Sequence, residues 1–134
     1  FNYSSVALTD CQVFLVEKET IATVIKQNGI FGFNMIKRYC QQNANLFETL
    51  RTVMYKQMNG RMADTLLYID SLKPEHPEIF QLLSRKDLAD FAGISTESAV
   101  KLLKSFEKDG LIELNEKDIR LIHIAELQEI SKKG

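Results

Sequence analysis

The sequence predicts a mainly α-helical chain with a small β component, on three observations. Apolar residues recur at helical spacing across 30–72 with no proline to interrupt them. Both prolines fall together, at Pro74 and Pro77. After them, helix caps and glycine stops alternate before two short β-rich runs. The expected order is short strands, a helix, a long helix, then a helix–turn–helix closed by a hairpin.

Composition sets the bounds. The chain of 134 residues suits one ordinary domain, or a small domain with a piece of another. Hydrophobic residues at 45% and charged residues at 26% exclude a disordered tail. No apolar run approaches the roughly 20 residues that span a bilayer, so no membrane partner is expected. Seventeen Lys and Arg against eighteen Asp and Glu leave a formal charge of -1, so a nucleic-acid partner has to be argued from local geometry. Cys11 and Cys40 have no zinc-ligand spacing and read as buried, reduced thiols; no metal site is expected. With no secretion signal in the first ten residues, the expected localisation is cytoplasmic.

In chain order, 5–16 reads as two short strands around the turn pair Thr9 and Asp10. Two strands alone are marginal in water, so this segment is expected to be the end of a larger β structure. Ile21, Ala22, Val24 and Ile25 mark a short helix over 17–27, stopped by Asn28 and Gly29. A single long helix then follows, with a stripe through Phe47, Leu50, Met54, Met58, Met62, Leu66 and Ile69. Leu46, Val53, Leu67 and Tyr68 widen the stripe beyond what one neighbouring element covers, which suggests a second chain. Gly60 interrupts the helix as a hinge, a close approach or a tolerated glycine. The prolines end the pattern, and the domain boundary is expected near them or slightly before.

Beyond the linker, Ser84 and Asp87 form a capping box in which a short acid replaces the usual Glu, and Gly93 stops that helix. Ser95 caps the next helix, with Glu97 in its first turn. Ala99, Leu102, Leu103 and Phe106 form its apolar face, opposite Glu97, Lys101, Lys104 and Lys108. Asp109 and Gly110 end it, strands follow over 111–114 and 119–124 around a polar turn, and 125–130 is expected to close the unit as a helix. Helix, turn, helix, hairpin is a winged helix, and the small polar start and basic face of its second helix suit a DNA major groove. Lys117 at the hairpin tip, with Arg120 nearby, can reach phosphates.

The stretch LSRKDLADFAGISTESAVKLLKSFEKDGLI at 83–112 resembles the helix-turn-helix of the Crp/Fnr family of bacterial transcription regulators. Upstream, Asn59, Gly60, Arg61, Met62 and Ala63 are similar to that family's hinge, and ALTDCQVFLVEKETI at 7–21 resembles the last strands of its sensor β-roll and the helix after them. The resemblance implies three parts: a remnant of a cyclic-nucleotide-binding-like sensor at 1–28, a dimerisation helix and hinge at 29–73, and a winged-helix DNA-binding domain at 74–134. It implies a homodimer, paired through Leu46, Phe47, Leu50, Val53, Met54 and Met58 with its hinge at Gly60, bound to a palindromic double-stranded DNA site. RNA polymerase is a further candidate partner.

Matched to the family's base-reading positions, an Arg, a Glu and a second Arg, this chain has Thr96, Glu97 and Lys101. Only Glu97 keeps the family residue, and a carboxylate accepts from cytosine N4. Ser84, Arg85 and Lys86 resemble the family's phosphate contacts; Ser95 and Ser98 can donate to phosphate, and Lys104 and Lys117 add charge. Where cyclic-AMP-binding members place a Thr and a Ser, this chain has Leu46 and Phe47, which lack the hydroxyls, so no cyclic AMP and no other cofactor is expected in this chain. His76 and His123 are paired by motif with no nucleophile, so no enzyme is expected. The competing expectation is a winged-helix module that binds protein without specific DNA binding, suggested by the neutral charge and the missing Arg readers.

Overall fold

The computed structural model describes residues 4–134, and the first three residues of the expected 1–28 remnant lie outside it. It divides into two compact units, one up to Glu48 and one over Thr49–Gly134.

In the first unit, 4–17 forms neither helix nor strand. This corrects the expected β-roll strands. Val13, Phe14 and Leu15 are 75%, 86% and 97% exposed, and a strand without a partner has nothing to satisfy its backbone or cover its side chains. Helix α1 (Lys18–Gln27) ends at Asn28, as Asn28 and Gly29 suggest, and α2 (Gly29–Tyr55) starts at once. Asn28 serves both: its N–H donates to the Val24 carbonyl at 2.8 Å, and its side-chain oxygen accepts from the Phe31 amide at 3.0 Å. Gly32 lets the helices approach, since a Cβ there would lie 3.3 Å from Ile25 Cγ2. Cys11 and Cys40 are both exposed, against the expectation of burial, because 4–17 packs into no core and α2 buries only Gly32.

The expected single helix over 30–72 is two helices. It breaks at Lys56 and Gln57, and α3 (Met58–Ser71) follows with Gln57 extended at its N-cap. The periodicity runs through the break, so the sequence pattern does not reveal it. The break is held by contacts within the second unit. Arg61 Nη1 donates to the Val53 carbonyl at 3.1 Å, satisfying one of the acceptors that the end of α2 leaves open. Lys56 Nζ lies 2.6 Å from Asp64 Oδ2, and the Ser131 hydroxyl donates to the other Asp64 oxygen. Gly60 sits inside the first turn of α3 rather than at the break. A Cβ there would meet Gly134 Cα at 2.8 Å, so of its expected roles the structure displays close approach.

Helix α3 is core, not linker. Met62, Ala63 and Leu66 are fully buried, packed with Leu88, Leu103, Ile119 and Leu127 of the elements that follow. The proline linker therefore lies inside this unit. It leads into α4 (Ile79–Leu82), a one-turn helix absent from the sequence expectation, which buries Ile79 and Phe80. Then come α5 (Arg85–Ala92), α6 (Thr96–Lys108), β1 (Ile112–Asn115), β2 (Asp118–Leu121) and α7 (Ile124–Lys133). The antiparallel pair β1–β2 puts Glu113 opposite Arg120 and Leu114 opposite Ile119. The turn of the helix–turn–helix is built as its residues require: Gly93 has φ 64°, and the Ile94 amide reaches back to the Ala89 carbonyl at 3.0 Å. Gly110, φ 74°, ends α6 in the same way, with Leu111 donating to Phe106 at 2.8 Å.

Candidate nucleic-acid interface

Ser84 and Asp87 make the capping box of α5. The Asp87 amide donates to Ser84 Oγ at 3.2 Å, while the Ser84 amide and hydroxyl donate to Asp87 Oδ2 at 2.8 and 2.6 Å. These bonds, the hydroxyl's first, hold Asp87 below the usual carboxylate range. A carboxyl with a lowered folded pKa contributes stability above its unfolded value and loses it as pH falls through the folded one. An acid titration followed by helical circular dichroism is therefore expected to fall below about pH 4 in the wild type. The slope should be shallower in Asp87→Ala; equal slopes would show that the box carries no pH-dependent stability.

Ser95 caps α6, accepting from the Ser98 amide at 3.1 Å and donating to Ser98 Oγ at 2.9 Å. Both hydroxyls already serve the cap, as Ser84 serves α5. Beside it, Thr96 is exposed. Glu97 and Lys101 are exposed too, but form an ion pair at 2.6 Å. Spacing of three and four residues puts Lys104 and Lys108 on the same outward face, opposite buried Ala99, Leu103 and Phe106.

Several of the cations are engaged within the protein. Lys86 pairs with Asp90, whose hydrogen bond pushes the ammonium pKa up. Arg120 pairs with Glu113 across the hairpin, Nε to Oε2 at 2.8 Å. Arg85 Nη2 donates to the Glu116 carbonyl at 3.2 Å. Lys104, Lys108 and Lys117 have no ion-pair partner among the described residues.

Ser84, Arg85 and Lys117 come together. With Asp87, Gln81 and Glu116 they line a cleft of about 370 Å³ between the start of α5 and the hairpin turn. Sequence spacing does not place the hairpin turn against α5. Nor does it reveal the Lys56, Asp64 and Ser131 cluster, whose members are brought together only by the packing of α3 against α7. Among the described residues no three His, Cys, Asp or Glu side chains converge as a metal site, and no helix is long and apolar enough to cross a membrane.

The family model of the Crp-like helix-turn-helix domain matches residues 60–130, from the first turn of α3 through α4, α5, α6 and the hairpin into α7. The chain belongs to the Crp/Fnr family. It is 24% identical over 131 residues to the transcriptional regulatory protein btr of Bordetella pertussis, a match covering 95% of the chain and 54% of that protein. It is 24% identical over 127 residues to the anaerobic regulatory protein of Bacillus subtilis, covering 92% of the chain and 53% of that protein. The chain thus spans about half the length of these two relatives. In fold it resembles FixK2 from Bradyrhizobium japonicum, with a TM-score of 0.73 at 15% identity, over 86% of the chain and 59% of that structure. It also resembles a crp/fnr-family regulator from Eubacterium rectale described as putative in its own structure, with a TM-score of 0.68 at 16% identity, over 85% of the chain and 51% of that structure.

Proposed function

We propose that this chain is the DNA-binding and dimerising part of a transcription regulator that recognises a palindromic duplex as a homodimer. The observation that carries the proposal is the surface of α6. Its N-terminal end, Thr96 and Glu97, is exposed beside a Ser95 cap, and its outward face bears Lys101, Lys104 and Lys108, in a unit that matches the Crp-like domain. Glu97 and Lys101 read bases, and their mutual ion pair is exchanged for base contacts on docking. Ser84, Lys86, Ser95, Ser98, Lys104 and Lys117 position the DNA backbone, with Arg85 beside Ser84 and Lys117 at the cleft those two line.

The dimer supplies symmetry. Along α2, Phe33, Cys40, Phe47 and Met54 recur every seventh residue and Ile36 and Leu50 follow the first and third of them by three, all exposed. That is a heptad pattern, with polar Asn43 in the remaining position, whose apolar side chains are left exposed. Leu46, Val53 and Met58, also exposed, broaden it.

Selection from random duplexes at about 0.1–0.15 M salt tests the proposal, since non-specific affinity alone is salt-sensitive and uninformative. A palindrome is expected to emerge. Glu97→Ala should change the preferred bases, whereas Arg85→Ala should weaken binding across sequences and lower its salt dependence. Recovery of no sequence would favour the alternative, a protein-binding winged helix, for which the internal pairing of Lys86, Lys101 and Arg120 speaks.

A further inference from the structure

The hairpin that carries Lys117 has only two strands, and such a ribbon does not hold its own position in water. Its placement must come from outside the sheet. The Ile122 amide donates to the Leu111 carbonyl at 2.9 Å, and antiparallel pairs alternate between bonded and non-bonded. In the register Ile112 to Leu121 and Leu114 to Ile119, Leu114 therefore falls on a non-bonded pair. Its N–H points off the free edge of β1, where no third strand can take it. Glu107, in the last turn of α6, accepts that N–H through Oε1 at 3.2 Å.

A second tie reaches the tip. Arg85, from the first turn of α5, donates to the carbonyl of Glu116, which holds a φ of 49° that few non-glycine residues adopt. Lys117 is the next residue. The edge of the hairpin is thus tied to the end of α6 and its tip to the start of α5, each by one side chain.

The geometry points to Glu107 and Arg85 as positioning residues that set where the hairpin presents Lys117 relative to α6. The inference rests on the DNA-binding proposal above. It makes Arg85 a strut of the interface as well as a charge, and gives a role to Glu107, which by charge alone would oppose DNA.

That opposition makes the test decisive. If Glu107 acts only as a negative charge near phosphate, Glu107→Ala and Glu107→Gln should both tighten binding. A positioning role separates them: Gln keeps a side-chain carbonyl that accepts the Leu114 N–H, and Ala does not. The experiment titrates the duplex recovered by selection with wild type, Glu107→Ala, Glu107→Gln, Lys117→Ala and the Glu107→Ala/Lys117→Ala double variant, with amide exchange at Leu114 measured on the free proteins.

Glu107→Ala is expected to bind about threefold to tenfold more weakly, the scale of one ordinary intramolecular hydrogen bond, and to speed Leu114 exchange. Glu107→Gln should bind at least as tightly as wild type and keep Leu114 protected. In the Lys117→Ala background the Glu107→Ala change should no longer weaken binding, whereas loss of general stability would add to the Lys117→Ala loss. Tighter binding by Glu107→Ala, full additivity with Lys117→Ala, or unchanged Leu114 exchange overturns the inference. A wild type that binds no duplex overturns the DNA-binding proposal instead, while the exchange data still decide whether Glu107 holds the hairpin.

Discussion

Leu66→Ala is expected to destabilise the Thr49–Gly134 unit by about 2–5 kcal/mol, the range for a fully buried leucine whose cavity only partly collapses. Leu50→Ala, at a position 49% exposed in the same apolar stripe, should leave the unit's stability within about 0.5 kcal/mol. The sequence pattern does not distinguish the two positions; the structure does, because α3 is packed beneath α5 and α6 while the end of α2 is not. Urea unfolding followed by amide exchange in α5 and α6 is the measurement. An unchanged midpoint in Leu66→Ala, with loss of self-association, would assign α3 to a subunit interface rather than to this core.

Phe47→Glu is expected to convert the proposed homodimer to monomer and to weaken binding to a two-half-site duplex by roughly 100-fold to 10,000-fold. This is the avidity lost when two linked contacts become one. Phe47 is 72% exposed on α2, so the change disturbs no core contact within the chain, and a buried carboxylate facing its twin across a seam is strongly unfavourable. Sedimentation at tens of micromolar protein and titration of the palindrome and of a single half-site are the two readouts. Single-half-site binding should be nearly unchanged. A monomeric wild type, or a Phe47→Glu variant that stays dimeric with full affinity, would rule out this seam.

Much of the winged helix is legible in the residues because caps and turns are local. Ser84 with Asp87, Gly93, Ser95 and Gly110 each satisfy backbone groups within a few residues of themselves, and each stands where the sequence suggests. Boundaries move by one to three residues where nothing local marks them: β1 starts at Ile112 rather than Leu111, β2 ends at Leu121 rather than Ile124, and α7 runs from Ile124 to Lys133 rather than over 125–130. The one-turn helix α4 carries too few residues to display a period, although the burial of Ile79 and Phe80 follows from their type.

Of the candidate interface, spacing along the chain shows the ion pairs within a helix but not the ties between elements. Glu97 and Lys101 stand four apart, the spacing that pairs them on a helix, and the same holds for Lys86 and Asp90. The ties from Arg85 to Glu116 and from Glu107 to Leu114 depend on how the hairpin folds back, which no spacing along the chain records.

Taken by itself, the sequence determined the order of caps, stops and apolar faces that makes a helix–turn–helix and hairpin, since those signals act between neighbours. The tertiary structure alone decided three things: that the chain breaks at Lys56 and Gln57, that α3 is core, and that 4–17 is not sheet. The physical reason is common to all three. A helical stripe looks the same whether it runs on or restarts after a break, and whether it covers a core or a partner. A strand exists only where another strand meets it. Such choices are settled by distant groups, here Asp64 and Ser131 holding Lys56, Leu103 and Ile119 burying Leu66, and the absence of any pairing strand for 4–17 among the described residues.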